Sequence, residues 1–104
     1  MVSTTQAVIF SALGDETRLS LLAKLYNGKP YSISQLTQGS TLTRQAITKH
    51  LDVLKNAGIV RSNRAGRESL FVFEPKSFKK IKKYIDLVSE QWDLTLTRLK
   101  IFVE

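Results

Sequence analysis

Apolar residues recur in steps of three and four through most of the chain, and alternate strictly in one stretch. In TRQAITKHLDVLKNAGIV, residues 43–60, Ile47, Leu51 and Leu54 fall at i, i+4 and i+7 and line one side of a helix. Thr43 is its expected cap, and Gly58 stops it just after Ala57. Upstream, residues 5–13 read as a short apolar-rich helix that ends at Gly14. Asp15-Glu16-Thr17 opens a second, since acids in a first turn suit the positive end of the helix dipole. Its apolar face is expected at Leu19, Leu22, Ala23 and Tyr26, and Asn27-Gly28 closes it. Lys29-Pro30-Tyr31 reads as a connector, and Ser32-Ile33-Ser34-Gln35 matches a capping box that starts a third, short helix ending near Gly39-Ser40.

Periodicity changes after Gly58. Residues 59–64 and 67–73 read as two strands about an Ala65-Gly66 turn, with Leu70 and Val72 facing one way, Phe71 and Phe73 the other. Pro75 suits the start of a last helix, where its missing N–H costs nothing. Phe78, Ile81, Ile85, Val88, Trp92, Leu96, Leu99 and Val103 step along that helix by three or four. About 28 residues at about 1.5 Å each give roughly 40 Å of helix. A compact domain of this size has a radius of gyration of only about 13 Å. One core hardly covers such a stripe, and Leu87, Leu94, Ile101 and Phe102 widen it. The pattern predicts that two copies pair through this helix, with residues 3–13 as a second contributor.

With 104 residues and neither internal repeat nor linker, residues 1–104 form one domain, mainly α with a small β-hairpin, in the order α-α-α-α-β-β-α. Val8 to Leu13 is too short and lacks the basic lead-in of a signal peptide, and no apolar run approaches the roughly 20 residues of a membrane span. The absence of cysteine excludes disulfide and thiolate chemistry and fits a cytoplasmic location.

Charge changes the picture more than composition does. The net charge is +7, and residues 43–83 hold 11 of the 16 Lys and Arg against three acids (Asp52, Glu68, Glu74), a local +8. The remaining residues, five basic and six acidic, sum to −1. A single segment carrying all the excess points to a polyanion-facing surface. A membrane surface fits less well, because these residues are spread over several elements instead of one amphipathic helix.

Within that segment, a short helix, a tight turn and a helix with an apolar inner face make a helix-turn-helix. The second helix, about residues 43–57, is then the recognition helix, whose first turns meet base edges in the DNA major groove. Arg44, Gln45, Thr48 and Lys49 suit that role. Arg pairs bidentately with guanine and Gln with adenine; Thr48 can donate to a base or phosphate or pack its methyl on thymine; Lys49 suits guanine or a phosphate. A merely solvated face would ordinarily carry Glu as well, and Asp52 is the one acid here. His50, between the apolar and polar faces, is assigned a packing or phosphate-contact role. As the lone histidine it is a poor metal ligand. The hairpin, about residues 59–73, is a basic wing. Arg64 and Arg67 flank its tip, placed for phosphates or the minor groove, and basic residues also guard edge strands against aggregation.

These residues resemble the ArsR-type (arsenical-resistance-repressor) family of winged helix-turn-helix regulators. Ala12-Leu13-Gly14-Asp15-Glu16-Thr17-Arg18-Leu19 is similar to its opening motif. Ile47-Thr48-Lys49-His50-Leu51, with Leu54 and Ala57-Gly58-Ile59-Val60, is similar to its recognition-helix signature, and Arg64-Ala65-Gly66-Arg67 to its wing tip. The resemblance spans roughly residues 6–104. It implies a homodimeric repressor that binds an operator through Thr43, Arg44, Gln45, Thr48, Lys49, Arg64 and Arg67 and pairs through a C-terminal helix at about residues 76–103. The family's metal-sensing members carry a cysteine box where this chain has Ser32-Ile33-Ser34-Gln35-Leu36, and other members use histidine on the last helix, which has none here. The expectation is therefore no metal, no cofactor and no thiol-based sensing, with the inducer unassigned. Lys79, Lys80, Lys82 and Lys83 either approach phosphates flanking the half-sites or form a solvated run.

Two other functions compete with this one. An enzyme is disfavoured, because paired carboxylates, a Ser-His-Asp set, a Cys nucleophile and a phosphate-cradling glycine loop are all missing. A winged-helix protein-interaction adaptor without DNA readout is the alternative, although such modules tend to lose a basic recognition face.

Overall fold

The computed structural model describes residues 4–103. The elements run α1 (Thr4–Leu13), α2 (Glu16–Leu25), β1 (Tyr31–Ser32), α3 (Ile33–Thr37), α4 (Arg44–Asn56), β2 (Val60–Ala65), β3 (Glu68–Phe73) and α5 (Pro75–Val103). Ser3, and the side chains of residues 4–6, Phe78, Phe102 and Val103, lie outside the described residues.

The expected helix signals operate. Asp15 caps α2 by accepting from the Arg18 backbone N–H at 3.0 Å. Ser32 and Gln35 form the reciprocal capping box of α3, and Thr43 caps α4 by accepting from Ala46 N–H at 3.1 Å. At the far end of α4, Gly58 adopts φ +76°, and the paired bonds Gly58 N–H to Lys55 O and Ile59 N–H to Leu54 O form a Schellman motif. Leu54 and Ile59, its two apolar partners, are both fully buried. That stop turns the chain from recognition helix into wing.

Two expectations need correction. The Lys29-Pro30-Tyr31 connector ends in a strand: β1 pairs antiparallel with β3 (Tyr31↔Phe71, Ser32↔Leu70), so the sheet has three strands in the order β1-β3-β2. Two residues are too few to show alternation, and pairing with β3 alone makes them a strand. The buried face of α2 is Leu21, Leu22 and Leu25, whereas Leu19 is 51% exposed and Tyr26 78%. Leucines at 19, 21, 22 and 25 cover nearly half of the helix circumference at about 100° per residue, so the contacts with α4 and β3 choose which part of that stripe is buried.

The core draws Ile9 and Ala12 from α1, the three leucines of α2, Leu36 from α3, Ile47, Leu51 and Leu54 from α4, and Phe71 from β3. From the long α5, Ile81 joins it, and Tyr84 meets Phe10 of α1 with ring centroids 5.3 Å apart. Beyond that point the helix leaves the core. The molecule measures 63 × 26 × 23 Å, with a radius of gyration of 17.6 Å.

Candidate nucleic-acid interface

The outer face of α4 is defined by how firmly its inner face is held. Ile47, Leu51 and Leu54 are each at most 2% exposed, and a fully buried side chain of this kind contributes roughly 1.5–3 kcal/mol. With the helix fixed by these three, by its Thr43 cap and by its Schellman end, Gln45 and Lys49 are left exposed on the opposite side, and Arg44 is exposed in the first turn. Among the described residues, the side chains of Gln45 and Lys49 have no hydrogen-bond or ionic partner. Thr48 is half-buried, and its hydroxyl donates to Arg44 O one turn back at 2.7 Å. Its proton is therefore used internally, which leaves its methyl and lone pairs for a ligand. Arg44 turns back toward α3, where Nη1 donates to Ser34 Oγ at 2.6 Å.

A second anchor was not legible in the sequence. Arg18 of α2 donates from Nε to Ala12 O at 2.7 Å and from Nη2 to Ser11 O at 3.4 Å, tying off the carbonyls at the end of α1. Its Nη1 lies 3.3 Å from His50 Nδ1 on α4, and His50 Nδ1 lies 3.8 Å from Asp15 Oδ1. One arginine thus links three helices. The Arg18 backbone N–H holds the Asp15 carboxyl below its usual range; partial desolvation opposes this, and the charges of Arg18 and His50 add to it. His50 takes the packing alternative: it points at α2. The signal was the Asp15-Arg18 spacing, but nothing local to it names His50 as the partner.

In the wing, β2 and β3 pair from Val60↔Phe73 to Ala65↔Glu68, so the two-residue loop is Gly66-Arg67, one position beyond the expected Ala65-Gly66. Gly66 has φ +64° and Arg67 does not have a positive φ, the combination of a II′ turn. Arg67 therefore stands in the loop itself, and Arg64 one residue before the end of β2; both are exposed. Arg61 is differently employed: Nε pairs with Glu74 Oε2 at 2.8 Å and braces the base of the hairpin. At that base the Ser77 hydroxyl donates to Gly58 O, so α5 starts beside the C-terminal end of α4. The exposed lysines of its first turns lie at that end, a helix length away from Thr43, and Lys82 pairs with Asp86 at 3.5 Å. Among the described residues no three His, Asp or Glu side chains converge into a metal site.

A helix with one buried side and a free polar face, preceded by a short capped helix and followed by a basic hairpin, is a winged helix-turn-helix. The comparisons agree. Over 81 residues the chain is 38% identical to the uncharacterized HTH-type transcriptional regulator YuzN of Bacillus subtilis, covering 72% of this chain and 88% of that one. The solved ArsR-like transcriptional regulator from Rhodococcus sp. RHA1 superposes with a TM-score of 0.78 at 34% identity, over 96% of this chain and 93% of that one. The homodimeric winged helix-turn-helix DNA-binding domain of Mb0332 from Mycobacterium bovis shares the fold, with a TM-score of 0.66 at 18% identity over 84% and 80% of the two chains. The family described as "Protein adenylyltransferase SoFic-like, C-terminal domain" matches residues 17–75, from α2 to the start of α5. The chain belongs to the ArsR family of winged helix-turn-helix transcriptional regulators, and its residues 17–75 also belong to the SoFic-like C-terminal domain family.

Proposed function

We propose that the chain is a cytoplasmic homodimeric repressor without catalytic activity, which occludes a promoter by binding an inverted-repeat operator. The observation that carries this reading is the exposed pair Gln45 and Lys49, unpartnered among the described residues, on a helix whose opposite side is locked into the core. In the major groove these two meet base edges, Thr48 offers its methyl, and Thr43 and Arg44 stand at the entering end of the helix. Arg64 and Arg67 at the wing tip contact the backbone, where they add affinity without sequence information.

The dimer reading rests on α5. Past Tyr84 its large apolar side chains are open to solvent, among them Trp92 (60%), Leu96 (57%) and Leu99 (55%). Scattered exposed leucines need no explanation, but a continuous stripe on a protruding helix does. A second copy supplies the matching stripe, and the homodimeric Mb0332 domain offers a precedent for that occupant. Two-fold symmetry then sets the recognition helices about 34–36 Å apart, in successive major grooves.

Unbiased binding-site selection with the purified protein tests this. Enrichment of an inverted repeat with half-sites about 10–10.5 bp apart is expected, as is reduced transcription from a promoter carrying it. Recovery of no sequence, or of an asymmetric one, overturns it. One second reading is a protein-interaction adaptor, since the matched family is named as the C-terminal domain of an adenylyltransferase and not as a DNA-binding protein. Salt separates the two, because phosphate-driven binding weakens linearly in log–log terms whereas burial of apolar surface responds far less.

A further inference from the structure

A cavity of about 170 Å³ opens where α3, the start of α4 and β3 meet, lined by Ser34, Arg44, Arg67, Glu68 and Ser69 over a floor that includes the buried Ser32. The short strand β1 creates it. Because Ser32 pairs with Leu70, the residues of β3 that precede Leu70 run on past β1 and lie over the beginning of α3. Ser69 shares a strand face with buried Phe71, so it faces inward, and the loop residue Arg67 closes the rim.

The lining is rich in unspent donors. Two guanidinium groups stand against one carboxylate, and among the described residues Glu68 forms no ion pair with either. Arg44 commits Nη1 to Ser34 Oγ at 2.6 Å, which fixes the guanidinium but leaves its other N–H groups available. Ser34 accepts that bond and keeps its own proton to donate, while the Ser69 hydroxyl has no partner among the described residues. Donors from three elements and the wing loop thus line one cavity. A planar base edge cannot accept from three directions, whereas a tetrahedral phosphate can.

We propose that this cavity seats one DNA backbone phosphate, held jointly by Arg44 and Arg67 with the Ser34 and Ser69 hydroxyls, so that Arg44 clamps the backbone instead of reading a base. The proposal rests on the DNA-binding reading above and changes the role of one residue within it. Sharing a single phosphate also locks the wing to the helix pair, so that the wing tip and Gln45 reach the duplex in fixed register. Glu68 at the rim opposes the bound charge and limits affinity for every sequence equally.

The test measures binding of the selected operator and of a scrambled duplex across a salt series. Arg44→Ala is expected to weaken both duplexes alike, leave base preference unchanged, and lower the log–log salt slope by about one. Arg67→Ala does the same, and because both hold one phosphate the double variant again lowers the slope by about one. Glu68→Gln tightens both duplexes. Arg44→Lys keeps the charge and most of the slope but loses the bond to Ser34, which separates the clamp from a folding defect. Altered preference at one base position in Arg44→Ala, a slope change of about two in the double variant, or an unchanged slope overturns the clamp. Inorganic phosphate alone, at constant ionic strength, should leave the arginine side-chain NMR signals in place; movement by phosphate with an unchanged DNA slope assigns the cavity to a free anion and also overturns it. If the wild type binds neither duplex in a salt-dependent way, the DNA-binding reading fails, and the clamp with it.

Discussion

Gln45 carries the sharpest residue-level consequence. Its side chain is exposed and has no partner among the described residues, so its removal should leave the fold intact. Gln45→Ala is expected to relax base preference at one position of each half-site by about 1–3 kcal/mol, read by binding to single-base operator variants. An equal loss on every duplex would show that it touches the backbone. Asp15 makes a different prediction, about pH. Its carboxyl is held below the usual range, chiefly by the Arg18 backbone N–H, so the charged form stabilises the fold. That contribution is present above the unfolded value of about 3.9 and is lost as pH falls through the lower folded value. Asp15→Asn keeps a capping oxygen but not the charge. Its stability deficit in urea titrations should be present at pH 7 and shrink as pH drops below the usual carboxylate range. A deficit constant with pH would remove the charge from the account.

At the scale of elements, the docking of α4 depends on more than its apolar face. Arg18 bonds the end of α1 and faces His50 on α4, so its loss should loosen three helices together. Arg18→Ala is expected to cost roughly 1–3 kcal/mol, with amide exchange accelerating along α4 before it does along β3. Uniform acceleration everywhere would mean that Arg18 only raises global stability. The wing obeys a similar logic. Its direction is set by the Schellman turn at Gly58, by the Arg61–Glu74 pair at its base and by β1 alongside β3. Capping residues, Pro75 and the alternation of β3 announced nearly all of these elements. The second strand pair was silent because β1 has two residues and therefore no period. The α2 face was misplaced because its leucine stripe is wider than the contact that buries it, and Leu19 at one edge drew the expected face round toward Tyr26.

For the whole molecule the decisive feature is α5, whose core contact ends near Tyr84 while its apolar stripe continues. Trp92→Glu is expected to convert the dimer to a monomer in sedimentation at micromolar concentration. It should also reduce operator affinity by on the order of tenfold or more, because the second half-site no longer binds intramolecularly. A dimer that survives the change would move the interface elsewhere. The monomer's stability should hardly alter, since Trp92 is mostly exposed within one chain.

Local signals need only near neighbours along the chain, and these the sequence by itself determined: the acidic start of α2 at Asp15, the caps at Ser32 and Thr43, the stop at Gly58, the inner face of α4, the excess of charge in residues 43–83 and the unsated stripe of the last helix. Each depends on residues within a few turns of one another, so periodicity and composition express it directly. Other features depend on segments far apart in sequence meeting in space. Tertiary structure alone decided that Tyr31 and Ser32 form a strand, that Arg18 meets His50 across 32 residues, and that Arg44 and Arg67 line one cavity. No local pattern encodes such meetings, because the partner's identity is fixed by how the helices and the sheet pack against the shared core.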